Sequence, residues 1–293
     1  MATVTSPAPA RPVAGHPSTP AVVRTEFVKA GRRLRTYVAY GIVAAIPIII
    51  TFVLKANPPS PGDGPRLAFL ASKSGLLIPA FTLRIMSEFL LVVVVALFAG
   101  DAIAGEASWG NLRYLLMRPI GRGRLFAAKF MVSVMYAWIA VLIAVVVGVI
   151  VGGAVFGFHG FQASLGLFGG VSHLSQSMSD ILGHLVIATV YVAWFLTTIV
   201  AFSFMLGCMT DSPGGAILGG IGLWITFAIL DAITSLGQIR YFFPPHWSGA
   251  WVEMFTDNKV SDDMIRGSLL TLGYVILFTG IALWWFRRKD ILS

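Results

Sequence analysis

The side chains of this chain that could do chemistry are charged residues set inside or between long apolar runs. Asp231 lies within the apolar run LWITFAILDAITSL, and Arg84 and Glu88 lie four residues apart in another. A charge inside a membrane span costs roughly 2.5–3.5 kcal/mol on insertion scales, so it is a functional candidate by default. Asp231 is therefore a candidate for a transport pathway or a dimer seam, whereas Arg84 and Glu88 are expected to pair near water.

Recognisable catalytic and metal-binding motifs are absent from the sequence. There is no G-x-x-x-x-G-K-[ST] phosphate loop, no H-E-x-x-H and no G-x-S-x-G. The five histidines are scattered, and the single cysteine, Cys208, excludes a disulfide within the chain and a cysteine-based metal site. We predict no catalytic residue, no metal site and no cofactor in this chain.

The composition is that of a protein dissolved in lipid. Of 293 residues, 57% are hydrophobic and only 12% are charged, about half of the roughly 25% usual in soluble domains. The net charge of +8 comes from basic residues that flank apolar runs rather than form a face. This pattern fits the cytoplasmic bias of membrane proteins, not nucleic-acid binding.

Runs of about 20 apolar residues predict an all-α membrane domain with six spans within residues 23–293. The predicted spans are residues 37–54, 76–104, 126–151, 181–206, 215–236 and 268–286. Gly148 and Gly152, like Gly215 and Gly219, have the spacing that lets helices approach closely.

The part before the first span divides in two. Residues 1–22 are rich in proline and are expected to be a disordered cytoplasmic tail without a secretory signal. Residues 23–37 predict an amphipathic helix in the membrane interface, the alternative being a basic flank with no defined orientation.

Lysine and arginine counts set the expected orientation. Fourteen of these residues lie on the side of both termini and of residues 101–129, and seven lie on the opposite side. The positive-inside rule therefore places both termini in the cytoplasm. On the outer side, residues 152–180 predict an apolar loop in the interface. Residues 237–266 predict an interfacial or re-entrant hairpin, with a simple aromatic belt as the alternative.

The segment from Glu106 to Lys129 is too charged to sit in lipid and lies between two spans. A helical stripe is formed by Trp109, Leu112, either Leu115 or Leu116, and Ile120. Glu106 is expected near the start of this short helix, where a carboxylate favours the positive end of the helix dipole. Pro119 would end the helix, and glycines would turn the chain into the third span. The alternative is a cytoplasmic loop lying on lipid.

At these residues the chain resembles the permease subunits of type-2 ABC exporters, the bacterial ABC-two membrane family. The matching positions of the first cytoplasmic loop are Glu106, Gly110, Leu112, Leu115, Leu116, Pro119, Arg122 and Lys129. Asn111 replaces the usual Thr and Gly121 the usual Ser. The closing FRRKDI is also similar to the end of many such subunits.

The resemblance implies a half-transporter in a bacterial cell membrane. Its partners would be a separate ATPase subunit, which binds ATP and Mg, and a second membrane subunit, either a second copy or a close homologue. The coupling contacts would come from Glu106, Gly110, Leu112, Arg113, Leu115, Leu116, Arg118, Pro119 and Arg122. Export of a hydrophobic or amphipathic drug, lipid or peptide is expected. The competing hypotheses are a stand-alone secondary transporter or channel and, third, a membrane enzyme.

Overall fold

The computed structural model describes residues 18–60, 65–108, 121–167, 170–257 and 261–288. The helices in these ranges are α1 Thr19–Gly31, α2 Leu34–Ala56, α3 Arg66–Ala71, α4 Ile78–Glu88, α5 Leu90–Ser108, α6 Arg122–Phe156, α7 Met178–Met209, α8 Pro213–Ala232, α9 Pro244–Trp247, α10 Met254–Asp257 and α11 Asp262–Arg288. Six of the described helices, α2, α5, α6, α7, α8 and α11, are long and apolar enough to cross a membrane. This number of candidate spans among the described residues agrees with the six spans predicted from the sequence.

Two helices form the centre of the bundle. In their most apolar stretches, 67% of α5 and 72% of α7 is buried, against 17% of α8 and 22% of α11. The outer helices instead expose large apolar side chains such as Leu218 and Leu269. Such faces are stable when lipid or another subunit covers them.

Glycines allow the central helices to approach closely. A Cβ on Gly100 of α5 would lie 2.9 Å from the Ile217 nitrogen of α8, and one on Gly207 of α7 would lie 2.8 Å from the Gly100 oxygen. On α6, a Cβ on Gly148 would lie 2.9 Å from Pro79 Cα, and one on Gly152 would lie 2.4 Å from the Gly75 oxygen. The predicted close approach at Gly148 and Gly152 is thus made within the chain.

The second predicted span, residues 76–104, is two helices rather than one. The backbone leaves helical geometry at Phe89 (φ −141°, ψ −58°), between α4 and α5. The Trp224 indole donates a hydrogen bond to the Glu88 carbonyl at 2.8 Å, which satisfies a group left without an intrahelical partner. Arg84 and Glu88 form the predicted i, i+4 ion pair on α4.

The predicted N-terminal helix is divided. Helix α1 begins at Thr19, with Pro20 in its first turn, and ends at Gly31; α2 starts at Leu34. Proline favours a helix start because its missing N–H has no intrahelical acceptor there. A Cβ on Gly31 would lie 2.6 Å from Tyr136 Oη, so the missing side chain of Gly31 lets α1 end directly against α6. Its location in the membrane interface stays a prediction.

A β-hairpin interrupts the all-α architecture. Strands β1 (Phe161–Leu167) and β2 (Gly170–Gln176) pair antiparallel, with Phe161 opposite Gln176. The predicted apolar loop therefore contains regular structure, and its location in the membrane interface stays a prediction. The alternating apolar residues of FQASLGL were the missed signal, since a period of two favours a strand.

Short helices make up the 233–257 segment. The interfacial or re-entrant hairpin predicted for residues 237–266 stays a prediction. Its two tryptophans, Trp247 and Trp251, are buried, while Tyr241 and Phe242 remain exposed. Tyr191 of α7 donates a hydrogen bond to the Trp247 carbonyl at 2.8 Å. The tryptophans therefore belong to the protein core, and only the exposed rings remain candidates for an aromatic belt.

Candidate functional site: a buried ion-pair network beside residues 109–120

Charged side chains from three helices and from the α1–α2 junction meet at one end of the bundle. We call them the ion-pair network: Glu26, Lys29, Arg33, Arg35, Asp101, Glu106 and Lys129. The network lies where α5 leads into residues 109–120 and where α6 continues from them.

Lys129 of α6 is the centre of the network. Its Nζ lies 2.8 Å from Glu26 Oε2 on α1 and 2.7 Å from Glu106 Oε2 on α5, and it donates to the Ala102 carbonyl at 3.1 Å. The Lys129 side chain is only 3% exposed. A buried ammonium is tolerated when carboxylates and hydrogen bonds replace its water. These contacts therefore fasten α1, α5 and α6 together.

Glu106 is shared by two lysines. Besides Lys129 it pairs with Lys29 of α1, and its own side chain is 3% exposed. It lies in the last turn of α5, so the prediction that it lies near the start of a short helix is wrong. The two lysines supply the compensating charge that the helix dipole was expected to supply.

Asp101 forms the other half of the network. Its Oδ2 accepts from Arg33 Nη1 at 2.5 Å and also from Arg35, both at the junction of α1 and α2. A Cβ on Gly105 would lie 2.4 Å from Asp101 Oδ1, so the missing side chain at Gly105 makes room for this carboxylate. Three carboxylates thus face four cations, and one positive charge is in excess.

Tyrosine hydroxyls fix the helices around the network. Tyr136 of α6 donates to the Phe27 carbonyl of α1 at 2.8 Å, and Tyr40 of α2 donates to the Tyr136 carbonyl at 3.0 Å. The Tyr136 ring also lies 4.9 Å from the Phe27 ring. Because buried hydroxyls with partners resist rearrangement, the charged groups are held in a defined geometry.

The predicted coupling residues divide into two groups. Glu106 belongs to the network, and Arg122 begins α6, where its Nη1 donates to the Arg287 carbonyl of α11 at 3.3 Å. The remaining seven fall in 109–120, outside the described residues: Gly110, Leu112, Arg113, Leu115, Leu116, Arg118 and Pro119. Their coupling role stays a prediction.

Asp231, predicted as a pathway or dimer-seam residue, has partners within its own chain. In the last turn of α8, its Oδ1 lies 2.7 Å from His246 Nδ1 and 3.3 Å from Arg240 Nε. These contacts attach the 233–257 segment to the end of α8. Neither predicted role is tested by them.

The sequence pattern did not single out Glu26 or Asp101, and it gave Lys129 only as a match to the family motif. A signal was available, because Asp101 and Lys129 are charges within apolar runs, AGDAIAG and FAAKFMV. Such charges normally pair with one another. The missing information was which helices lie side by side.

Comparisons with known proteins agree with a membrane transport component. The family described as "Protein of unknown function (DUF2705)" matches residues 34–292. The chain belongs to this family. It is also 28% identical over 158 residues to the "Probable ABC transporter permease protein NosY" of Stutzerimonas stutzeri, a match covering 54% of this chain and 51% of that protein.

A second similarity is to the protein of the same name in Pseudomonas aeruginosa, with 38% identity over 61 residues, 21% of this chain and 22% of the relative. The matched regions thus cover at most about half of these curated relatives. Together with the six apolar helices, the comparisons support a multi-pass membrane protein related to ABC permeases.

Proposed function

We propose that this chain is the permease subunit of a type-2 ABC exporter. It moves a hydrophobic or amphipathic substrate (a drug, lipid or peptide) outward, using ATP hydrolysed by a separate subunit. The partial similarity to two probable ABC permeases supports this assignment, as do the six apolar helices.

The observation that carries the proposal is the pairing of Glu106 with Lys129. Glu106 lies at the end of α5 just before residues 109–120, and Lys129 lies in the second turn of α6 just after them, with their charged atoms 2.7 Å apart. A force applied to the intervening residues therefore acts on α5 and α6 together. The same lysine binds Glu26, so α1 moves with them.

In this proposal residues 109–120 dock on the ATPase. The leucines at 112, 115 and 116 enter an apolar cleft of the partner, while Arg113, Arg118 and Arg122 contact its surface, and Gly110 and Pro119 set the shape of the segment. The partner binds ATP and Mg. A second membrane subunit, identical or closely homologous, completes the pathway in a bacterial cell membrane, with both termini of each subunit in the cytoplasm.

Charge substitution in the leucine stripe tests the proposal. The double variant Leu115→Glu/Leu116→Glu should insert and fold normally. When it is co-expressed with a candidate ATP-binding-cassette protein, it should lose that protein during co-purification, together with the ATPase activity of the complex. Matched controls are Ile239→Glu and Phe242→Glu, because both residues are exposed apolar side chains of the 233–257 segment, away from the network.

Retention of the ATPase by the leucine variant, with unchanged hydrolysis, would contradict the docking role. If even the wild-type protein binds no ATPase, the permease assignment fails. A stand-alone secondary transporter or channel would then be the better hypothesis.

A further inference from the structure

A cleft opens beside the ion-pair network at the junction of α1 and α2. We call it the elbow cleft; its volume is about 470 Å³, and it is lined by Lys29, Arg33, Leu34, Arg35, Asp101, Gly105 and Glu106. It is large enough for a small polar group and opens at the end of the bundle where α1 lies.

The charges that this cleft presents to solvent are positive. The carboxylates of Asp101 and Glu106 are 8% and 3% exposed, whereas the side chains of Arg33, Arg35 and Lys29 are 32%, 34% and 41% exposed. Among the described contacts, each arginine reaches Asp101 through a single nitrogen. Since a guanidinium carries five N–H donors, both arginines keep donors for an anion with several oxygens.

An apolar stripe begins at the same place. Leu34, Val38 and Ile42 of α2 are spaced by four residues, so they share one helix face, and all three are exposed. Helix α2 is one of the candidate spans, so this face meets lipid or another subunit. A cationic cleft above an exposed apolar stripe matches a molecule with an anionic head and hydrocarbon chains.

We propose that the elbow cleft binds the headgroup phosphate of an anionic phospholipid. The phosphate oxygens accept hydrogen bonds from Arg33 and Arg35, Lys29 adds a positive charge, and an acyl chain lies along Leu34, Val38 and Ile42. The free phosphate ion has the same oxygens but gains nothing from the apolar stripe. This site does not depend on an ATPase partner, and its test is independent of the permease assignment.

The experiment measures lipid retained by the purified full-length protein. Protein in detergent micelles is supplied with equal amounts of phosphatidylglycerol and phosphatidylcholine, and bound lipid is counted by native mass spectrometry. The wild type should retain phosphatidylglycerol preferentially. Arg33→Gln/Arg35→Gln should lower its affinity about tenfold or more, as expected when charge-assisted hydrogen bonds are lost. Arg266→Gln, which removes an exposed arginine of α11, should change nothing.

A second variant separates binding from folding. Asp101→Asn removes the carboxylate that competes for Arg33 and Arg35, so it should raise phosphatidylglycerol retention, whereas a merely structural role would lower it or leave it unchanged. Unchanged or lower retention by Asp101→Asn would overturn the proposal, as would equal retention of both lipids by the wild type. Displacement of the lipid by inorganic phosphate at equal concentration would identify the free ion as the ligand and would also overturn it.

Discussion

Lys129 Nζ of α6 lies 2.7 Å from Glu106 Oε2 of α5, and this buried pair joins the helix that leads into residues 109–120 to the helix that continues from them. The same nitrogen lies 2.8 Å from Glu26 Oε2 of α1. One ammonium group therefore holds three helices, and the free energy of unfolding should depend strongly on it.

Replacing Lys129 with methionine should destabilise the protein by about 3–5 kcal/mol, because two buried carboxylates would lose their shared cation. The measurement is the midpoint of thermal unfolding in detergent. Lys29→Met is the control: the Lys29 side chain is 41% exposed, and a partly solvated pair contributes about 1 kcal/mol or less. Equal unfolding midpoints for the two variants would show that the buried Lys129 contributes no more to stability than the partly exposed Lys29.

The coupling between Lys129 and its two carboxylates can be measured in a triple-mutant cycle. Adding Glu26→Gln and Glu106→Gln to Lys129→Met should recover part of the lost stability, since no unpaired charge then remains buried around position 129. Strictly additive losses would show that the three side chains do not act as a unit.

Asp231→Asn should lower the free energy of local unfolding of the 233–257 segment by about 1–3 kcal/mol, because His246 and Arg240 would lose a charged acceptor. Faster amide hydrogen exchange within residues 234–247 is the expected observation. Asp263→Asn is a matched control, since its partner Arg266 is exposed and lies 3.7 Å away. Unchanged exchange accompanied by altered transport would instead support the pathway role.

Gly152→Ala should destabilise the protein by about 1–3 kcal/mol, because its Cβ would lie 2.4 Å from the Gly75 oxygen and the backbone would have to shift. Gly183→Ala of α7 is the control: nothing lies within 4 Å of its Cβ, and alanine favours a helix by about 0.5–1 kcal/mol over glycine. Thermal unfolding of both variants should therefore give shifts of opposite sign.

Arg122→Ala should lower thermal stability by about 1 kcal/mol or less, because its hydrogen bond to the Arg287 carbonyl is exposed. If Arg122 also contacts the partner, the amount of ATPase that co-purifies with the variant should fall by more than this small loss of stability explains. Arg287→Ala removes a neighbouring exposed arginine while keeping its backbone carbonyl, and it should retain the ATPase. Equal retention by both variants would confine Arg122 to its contact with α11.

The spans were predictable from sequence because about 20 apolar residues in a row have few other stable environments. The Arg84–Glu88 pair was predictable because residues four apart share a helix face. The break at Phe89 and the burial of Trp247 and Trp251 were not, since they depend on packing against distant helices.

The candidate site was predictable only in part. The motif drew attention to Glu106 and Lys129, but their pairing and the participation of Glu26 and Asp101 depend on which helices are neighbours. Glu26 and Lys129 are 103 positions apart, and no local pattern connects them. The basic residues Lys29, Arg33 and Arg35 lie in the basic stretch before the first span, but their acidic partners are known only from the structure.

The separation of Glu26 from Lys129 has a consequence for biosynthesis. Helix α1 leaves the ribosome before the helices it contacts, and the ammonium that pairs with its buried carboxylate is absent until α2, α5 and the start of α6 have been made. Until then Glu26 must remain solvated, because burying it alone would cost several kcal/mol. Docking of α1 is therefore a late event, and a nascent chain that ends before residue 129 should still carry α1 undocked.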